Sequence, residues 1–164
     1  YFYTQKPNYQ NPSVTVTLPQ PFLLKYFDDA GALTGQYGNN IPLLKYSDIL
    51  LVCAEAKATL DGGTTTDATA INAYYEVRHR AMPAEAKPVS ITTDQVLKER
   101  FWELCYEFKN WFDMVRTQKA FVVANNKMVN FVGYQAPSHI RPFKESDLLL
   151  PIPLTEVQMN PQLK

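Results

Sequence analysis

Apolar residues recur at helical spacing from about residue 43 onward. The first predicted helix has Pro42 in its first turn and ends at Asp61–Gly62–Gly63. Its helical positions are Leu43, Leu44, Tyr46, Leu50, Cys53, Ala54 and Lys57. A second helix begins after Asp67, whose side chain is suited to capping it, and ends near Met82–Pro83. One face of this helix carries Ile71, Tyr74, Tyr75 and Arg78.

The strongest apolar stripe follows a capping box formed by Thr92 and Gln95. The stripe consists of Leu97, Phe101, Leu104, Cys105, Phe108, Phe112 and Val115. A break near Lys109–Asn110 is expected, because Asn is a weak helix former. Three or four helices in consecutive pairs predict stacked helical hairpins. The predicted fold class is therefore mainly α, with long loops and a few short strands.

The first part of the chain has a different pattern. Alternation over Val14–Leu18 predicts a short strand, which Pro19 and Pro21 are expected to end. Residues 148–153 predict an extended apolar anchor, since their prolines exclude a helix. We therefore divide the chain into an irregular segment, residues 1–41, and a helical region, residues 42–164.

Composition narrows the classes of function. Sixteen basic and sixteen acidic residues cancel, so no global field attracts nucleic acid or an anionic membrane. No apolar run reaches the 18 residues of a membrane span. Cys53 and Cys105 lie in helical patterns and predict buried thiols, although a disulfide between them stays open. Neither His79 nor His139 has a sequence neighbour that predicts a metal site or a nucleophile, and no cofactor is expected.

Three glutamates, Glu99, Glu103 and Glu107, lie four residues apart on one helix face. Two of them, Glu99 and Glu103, could serve as acid and base in glycoside hydrolysis, which is a hydrolase hypothesis for this chain. A structural ion-pair network is the favoured interpretation, because guanidinium groups bind carboxylates bidentately and depress their pKa values. The cations of this predicted network are Arg78, Arg80, Arg100 and Arg116. If the network is buried, Glu103→Ala is expected to be strongly destabilising.

Aromatic residues are abundant, with 10 Tyr, 9 Phe and 2 Trp. Such rings build cores and can also stack on sugars. Trp102 and Trp111 lie beside the helical stripe and are predicted to pack in the core. The candidates for ligand stacking are tyrosines in loop-like surroundings, namely Tyr1, Tyr3, Tyr9, Tyr37 and Tyr134.

Five segments resemble, in order, the motifs of the SusD/RagB family. The family's motifs read RYADVLLMYAEA, N-x-V-R-x-R-A, ERRxEL, RWFDLxR and LxPIPxxEixxNP. The corresponding segments are residues 45–56, Asn72 with residues 77–81, residues 99–104, residues 111–116 and residues 149–161. Lys45 replaces the first arginine, and Phe108 and Asn110 stand where the family usually has Gly and Arg. Without that arginine, the network is expected to be rewired through Lys109 or Arg116.

The resemblance implies tetratricopeptide-like helix pairs and the carboxy-terminal part of a larger single-domain protein. It also implies a lipoprotein at the outer surface of Bacteroidota cells, anchored through its amino-terminal part, that is not an enzyme. Such a protein would capture glycans as the lid of a SusC-like, TonB-dependent outer-membrane transporter. Two alternatives stay open, a peptide-capture lipoprotein of the same family and a transporter-docking scaffold without its own ligand site.

Overall fold

A computed structural model of the chain describes residues 2–8, 10–11, 13–23, 25–28, 31, 34–36, 38–160 and 162. The chain divides into two compact units, Tyr1–Leu43 and Leu44–Lys164, and each is described by itself. Helices dominate the second unit and the strands are short, which confirms the predicted mainly α class.

The first unit contains an antiparallel hairpin of β1 (Phe2–Pro7) and β2 (Thr15–Leu23). The prediction that Pro19 and Pro21 end the strand is wrong, because β2 runs past both. Its register shifts between Tyr3 and Gln5 of β1, so residues 18–21 have no ladder partners. Proline lacks a backbone N–H and is therefore tolerated where no ladder hydrogen bond is required.

The second unit is built from helices joined by short antiparallel strand pairs. The helices are α1 (Tyr46–Leu60), α2 (Ala68–Ala81), α3 (Thr93–Glu103), α4 (Asn110–Thr117) and α5 (Leu154–Met159). The strand pairs are β3 (Thr64–Thr65) with β4 (Ile91–Thr92), and β5 (Lys119–Val122) with β6 (Lys127–Asn130). Short 3-10 turns lie at Val123–Asn125 and Glu145–Leu148. No helix of the described residues is long and apolar enough to cross a membrane.

Helices α1 and α2 form the predicted hairpin. Helix α1 begins at Tyr46, so Pro42 precedes it rather than occupying its first turn. Gly62 and Gly63 follow it with φ of 77° and 102°, values that glycine adopts without strain. The Asp67 carboxylate accepts a hydrogen bond from the backbone N–H of Ala70 at 3.0 Å, which confirms the predicted cap. The core between the helices consists of Leu51, Ala54, Ala70, Ile71, Val77, Ile91 and Val96.

Helix α3 begins at the predicted capping box. The Thr92 hydroxyl accepts from Gln95 N at 3.1 Å, and the Gln95 side-chain oxygen accepts from Thr92 N at 2.8 Å. The break expected near Lys109–Asn110 is present but longer, because α3 ends at Glu103 and α4 begins at Asn110. Tyr106 and Phe108 adopt φ of 63° and 60° in the turn between the two helices. Helix α4 therefore starts with a new rotational phase, so the prediction of one stripe up to Val115 is wrong.

Phe108 and Phe112 show the consequence of the early turn, since they are 79% and 67% exposed. The prediction of buried thiols is also wrong, because Cys53 is exposed and Cys105 is only half-buried, and the two are not joined by a disulfide. Both tryptophans are half-buried in aromatic packing: Trp102 lies edge-to-face with Phe101 and Phe121, and Trp111 with Phe131.

Residues 149–153 are extended as predicted, but their apolar side chains are exposed, so they do not anchor the unit.

Phe108→Gly is expected to raise the free energy of unfolding by up to about 1 kcal/mol, because glycine removes the cost of a left-handed φ. Phe112→Gly is the matched control, as Phe112 is also exposed but lies within helix α4. That change is expected to lower the free energy of unfolding by about 0.5–1 kcal/mol. Urea unfolding of both variants measures the contrast. A clear loss of stability in Phe108→Gly would show that the ring contributes packing instead.

Candidate functional site

The guanidinium group of Arg100 on α3 lies at the centre of a buried ion-pair network. The residue is only 4% exposed. Its Nη1 donates to Asp48 Oδ1 at 2.8 Å, and its Nε donates to Asp113 Oδ2 at 2.8 Å. Burial lowers the pKa of Arg100, but hydrogen bonds and charge from Asp113 and Asp48 outweigh it, so the pKa is raised overall. The contacts of Arg100 join α3 to α1 and α4.

A second arginine, Arg116 on α4, extends the network. It donates through both terminal nitrogens to the Glu55 carboxylate, with 2.7 Å between Nη2 and Oε2, and to Asp113 Oδ1 at 2.7 Å. Lys109 Nζ lies 3.5 Å from Asp48 Oδ2. Lys109 and Arg116 thus pair with carboxylates of α1 and α4, whereas the sequence led us to expect them beside the glutamates of α3.

The three glutamates of α3 and its following turn are buried and paired with cations. Arg78 Nη1 donates to Glu99 Oε2 at 3.2 Å, and Arg80 Nη2 donates to Glu103 Oε2. Glu107 accepts from Lys45 Nζ at 2.6 Å, and the same lysine lies 3.4 Å from Glu103 Oε1. The described contacts bring Arg78 and Arg80 to these glutamates but place Arg100 and Arg116 elsewhere.

Sequence reasoning missed the network residues Lys45, Asp48, Glu55 and Asp113. A signal for two of them was present, because Asp48 and Glu55 lie seven residues apart in a helix of mainly apolar residues. That spacing places two carboxylates on one face of α1, where each requires a cation once buried. The partners themselves lie about 50 to 60 residues along the chain, so no local pattern could identify them.

The electrostatics of Glu99 differ from the expectation. Burial raises its pKa above 4.5, and the charge and hydrogen bond of Arg78 offset this rise only in part. The prediction that neighbouring arginines depress the carboxylate pKa is therefore wrong for Glu99. It holds for Glu85, whose pKa is lowered mainly by its hydrogen bonds from Arg78. Beside them, burial and the charge of Glu99 raise the pKa of Tyr74 to about 12.

Two grooves flank α1. The first, of about 310 Å³, lies between α1 and α2 and is lined by Lys45, Tyr46, Ser47, Leu50, Glu76, Val77, Arg80 and Glu103. The second, of about 600 Å³, is lined by Val52, Glu55, Ala56, Thr59, Leu60, Arg100 and Arg116. Glu103 lines the first groove, whereas Glu99 lines neither, so the two carboxylates of the hydrolase hypothesis share neither cavity. No group of residues that could hold a metal ion occurs in the described part of the chain.

The predicted tyrosine candidates are only partly described. Tyr1, Tyr9 and Tyr37 lie outside the described residues. Tyr3 is exposed on β1, and Tyr134 is half-buried in a loop where its carbonyl accepts from Phe143 N at 3.0 Å. A role in ligand binding stays a prediction for all five.

Tyr46 is an exposed aromatic residue that the sequence analysis assigned to the helical stripe. It lies at the first groove, 69% exposed. The buried face of α1 is centred on Leu51, Ala54 and Ala58, and Tyr46 lies about 100° from that centre at 100° per residue. Helical phase measured from the buried centre is the signal that could have separated it from the core.

Comparison with known proteins assigns the family. A model of the SusD family matches residues 2–164. The chain belongs to the SusD family. It is similar to SusD-like protein P2 of Formosa agariphila, with 28% identity over 176 residues that cover 99% of this chain and 32% of the relative. It is also similar to a SusD-like protein of Bacteroides ovatus, with 33% identity over 96 residues, 58% of this chain and 16% of the relative.

A solved structure supports the same assignment. The crystal structure of a SusD superfamily protein from Parabacteroides distasonis has a TM-score of 0.83 and 31% identity. The match covers 98% of this chain and 36% of that protein. This SusD family chain thus spans about a third of the length of both protein P2 and the solved structure. The resemblance drawn from five sequence motifs is confirmed.

Arg100→Met is expected to lower the free energy of unfolding by about 3–5 kcal/mol, because it leaves the buried Asp48 and the half-buried Asp113 without their central cation. Arg116→Met is the matched control and should cost less, since the Arg116 side chain is 45% exposed and its partners keep Arg100. Urea unfolding compares the two. Equal losses of stability in the two variants would show that the network depends no more on Arg100 than on Arg116.

Glu99→Gln and Glu85→Gln are expected to respond to pH in opposite directions, although both residues pair with Arg78. The folded-state pKa of Glu99 is raised, so its contribution to stability is present below pH 4.5 and is lost as pH rises through the folded pKa. Glu99→Gln does not titrate and should gain stability relative to wild type over that rise.

The folded-state pKa of Glu85 is lowered, so its contribution is present above pH 4.5 and is lost as pH falls through the folded pKa. Glu85→Gln should therefore lose stability relative to wild type near neutral pH and approach it in acid. Thermal midpoints measured from pH 3 to pH 7 test both trends. Parallel trends in the two variants would contradict this assignment of charge.

Proposed function

We propose that the protein to which this chain belongs captures a nutrient oligosaccharide at the cell surface and delivers it to a SusC-like, TonB-dependent outer-membrane transporter. The match of residues 2–164 to the SusD family is the observation that carries this proposal. The likeness to a solved SusD superfamily protein supports it further. The family implies a nutrient-binding lipoprotein of the outer membrane, so we place the intact protein there, held by a lipid anchor.

The geometry of the second unit favours binding over turnover. Each glutamate of the hydrolase hypothesis is held by a cation on a neighbouring helix, Glu99 by Arg78 and Glu103 by Arg80. A general acid and a general base must both reach one substrate bond, and these two carboxylates share neither groove.

The first groove offers the chemistry that a neutral sugar requires. The exposed ring of Tyr46 provides an apolar surface for the C–H face of a pyranose. Ser47, Glu76 and Arg80 line the same groove and can exchange hydrogen bonds with hydroxyl groups. Few polar groups converging beside an aromatic ring are typical of small-ligand sites. We therefore add Tyr46 to the predicted tyrosines as a candidate glycan contact.

Affinity electrophoresis of the intact protein across a broad polysaccharide panel tests the proposal, and calorimetry with oligosaccharides of any retained polymer gives the affinity. Tyr46→Ala is expected to weaken binding about two- to tenfold through lost stacking. Phe112→Ala, an equally exposed aromatic residue outside the groove, should leave the affinity unchanged.

The alternatives give different results in the same experiments. Binding of peptide pools without retention on any polysaccharide would favour a peptide-capture lipoprotein. Capture of the transporter by a protein that binds neither ligand class would favour a docking scaffold. Release of reducing sugar that Glu103→Gln abolishes would restore the hydrolase hypothesis.

A further inference from the structure

The cations that line the first groove are both held by carboxylates. Lys45 Nζ lies 2.6 Å from Glu107 Oε1 and 3.4 Å from Glu103 Oε1. Arg80 Nη2 donates to Glu103 Oε2. Both glutamates are buried, and a buried carboxylate that loses its cation is strongly destabilising. The positive charges of Lys45 and Arg80 are therefore compensated within the unit.

Glu76 on α2 is a carboxylate of the same lining that has no such pair. Its side chain is exposed, and no cation contacts it among the residues that the structure describes. Arg80 lies four residues further along α2, at a spacing where glutamate and arginine commonly pair. Its guanidinium group is directed instead to Glu103 at the end of α3. The negative charge of Glu76 is thus left uncompensated beside the groove.

The aromatic ring of the groove acts in the same direction. Tyr46 is exposed and lines the groove together with Glu76. The face of an aromatic ring carries partial negative charge, so it attracts cations. The remaining members of the lining, Ser47, Leu50 and Val77, are uncharged. A positive group on a ligand therefore has two attractive partners in the groove, Glu76 and Tyr46.

We propose that the first groove selects its ligand by charge and that Glu76 determines this preference. A saccharide that carries a protonated amino group is attracted, and a neutral sugar is accepted. A saccharide that carries a carboxylate or sulfate group is repelled. The application to saccharides rests on the function proposed above, whereas the charge preference itself rests on the contacts within the groove.

Arg80 supplies the opposing argument, because 63% of its side chain is exposed. A negative group bound by its guanidinium would compete with Glu103, which is buried and paired with the same guanidinium. Such competition weakens an ion pair of a buried carboxylate, which is costly. We therefore expect the uncompensated charge of Glu76, rather than that of Arg80, to set the sign of the electrostatic potential in the groove.

Coulomb's law gives the size of the effect. A unit charge about 7 Å away in water changes the local concentration of a monovalent ion about threefold. A comparison of a cation with an anion multiplies two such factors, so the ratio changes about three- to tenfold. Salt reduces this effect, because the Debye length falls from about 10 Å at 0.1 M to about 3 Å at 1 M.

Thiol modification measures the charge preference without any saccharide. In the intact protein, Ser47→Cys places a thiol in the groove, and Cys53→Ser removes the exposed native thiol nearby. The rates of modification by methanethiosulfonates that carry a trimethylammonium or a sulfonate group are followed by peptide mass spectrometry. Glu76→Gln is expected to lower the ratio of the cationic to the anionic rate about three- to tenfold at low salt. Glu145→Gln, which removes an exposed carboxylate outside the groove, is the matched control and should leave the ratio unchanged.

Three results would overturn the proposal. The first is a ratio that Glu76→Gln changes no more than Glu145→Gln does. The second is an effect of Glu76→Gln that is as large at 1 M salt as at low salt, because charge would then not be its cause. The third is a thiol at position 47 that reacts with neither reagent in the folded protein, since the groove would then be closed to ligands.

Saccharide binding separates this proposal from the function on which its application rests. Glu76→Gln is expected to weaken the binding of glucosamine oligosaccharides and to strengthen that of galacturonate oligosaccharides, each severalfold in calorimetry. An intact protein that retains no polysaccharide, but whose thiol ratio responds to Glu76→Gln, would contradict the proposed function and still support charge selection. Retention of polysaccharides together with an unresponsive thiol ratio would support the function and overturn charge selection.

Discussion

The buried guanidinium of Arg100 is the constraint on which the second unit depends. A buried cation is costly unless carboxylates surround it, and Arg100 has Asp48 on one side and Asp113 on the other. Asp48 lies on α1 and Asp113 lies on α4. The two ion pairs of Arg100 therefore fix the positions of α1, α3 and α4 relative to one another. Ion pairs of this kind contribute little net stability compared with apolar packing. Their contribution here is geometric, because other arrangements of these helices would leave a charge unpaired.

The same constraint explains the turn between α3 and α4. In a continuous helix, residues 100 and 113 would lie about 20 Å apart, beyond the reach of an arginine and an aspartate. The observed 2.8 Å hydrogen bond requires the chain to reverse between them. The reversal places Tyr106 and Phe108 at positive φ, which is costly for residues with a side chain. Resemblance to the SusD/RagB motifs marks position 108 as one where the family usually has glycine, the residue that such a φ favours.

Features that depend on residues close along the chain are predictable from the sequence, whereas contacts between distant residues are not. The Thr92–Gln95 capping box, the Asp67 cap and the α1–α2 hairpin were predicted, because residues close in sequence determine them. The apolar stripe from Leu97 to Val115 was predicted as one face, and the contact from Arg100 to Asp113 breaks it. Helical periodicity describes only the spacing of residues within one helix, so it cannot predict a contact between two helices.

The candidate site likewise contains features that the sequence pattern could not predict. Periodicity placed Cys53 in an apolar helix but could not show that its side of the helix is exposed. The pairing of Lys45 with Glu107 joins residues 62 positions apart, and no local pattern reports such a distance. Charge patterning named four arginines as partners without assigning any of them to a particular glutamate. In the structure Arg78 contacts Glu99 and Arg80 contacts Glu103, whereas the other two pair with carboxylates of α1 and α4.

The family motifs and the ion-pair network consist largely of the same residues. The first motif contributes Asp48 and Glu55, the second Arg78 and Arg80, the third Glu99, Arg100 and Glu103, and the fourth Asp113 and Arg116. Each of these charges pairs with a charge from another motif. A match to the motifs is therefore a match to the ion-pair network that positions the helices. For this reason the motifs predict the fold. Most charges of the network are satisfied by one another, so we expect a ligand to be bound mainly by residues beside these ion pairs, such as the exposed Tyr46.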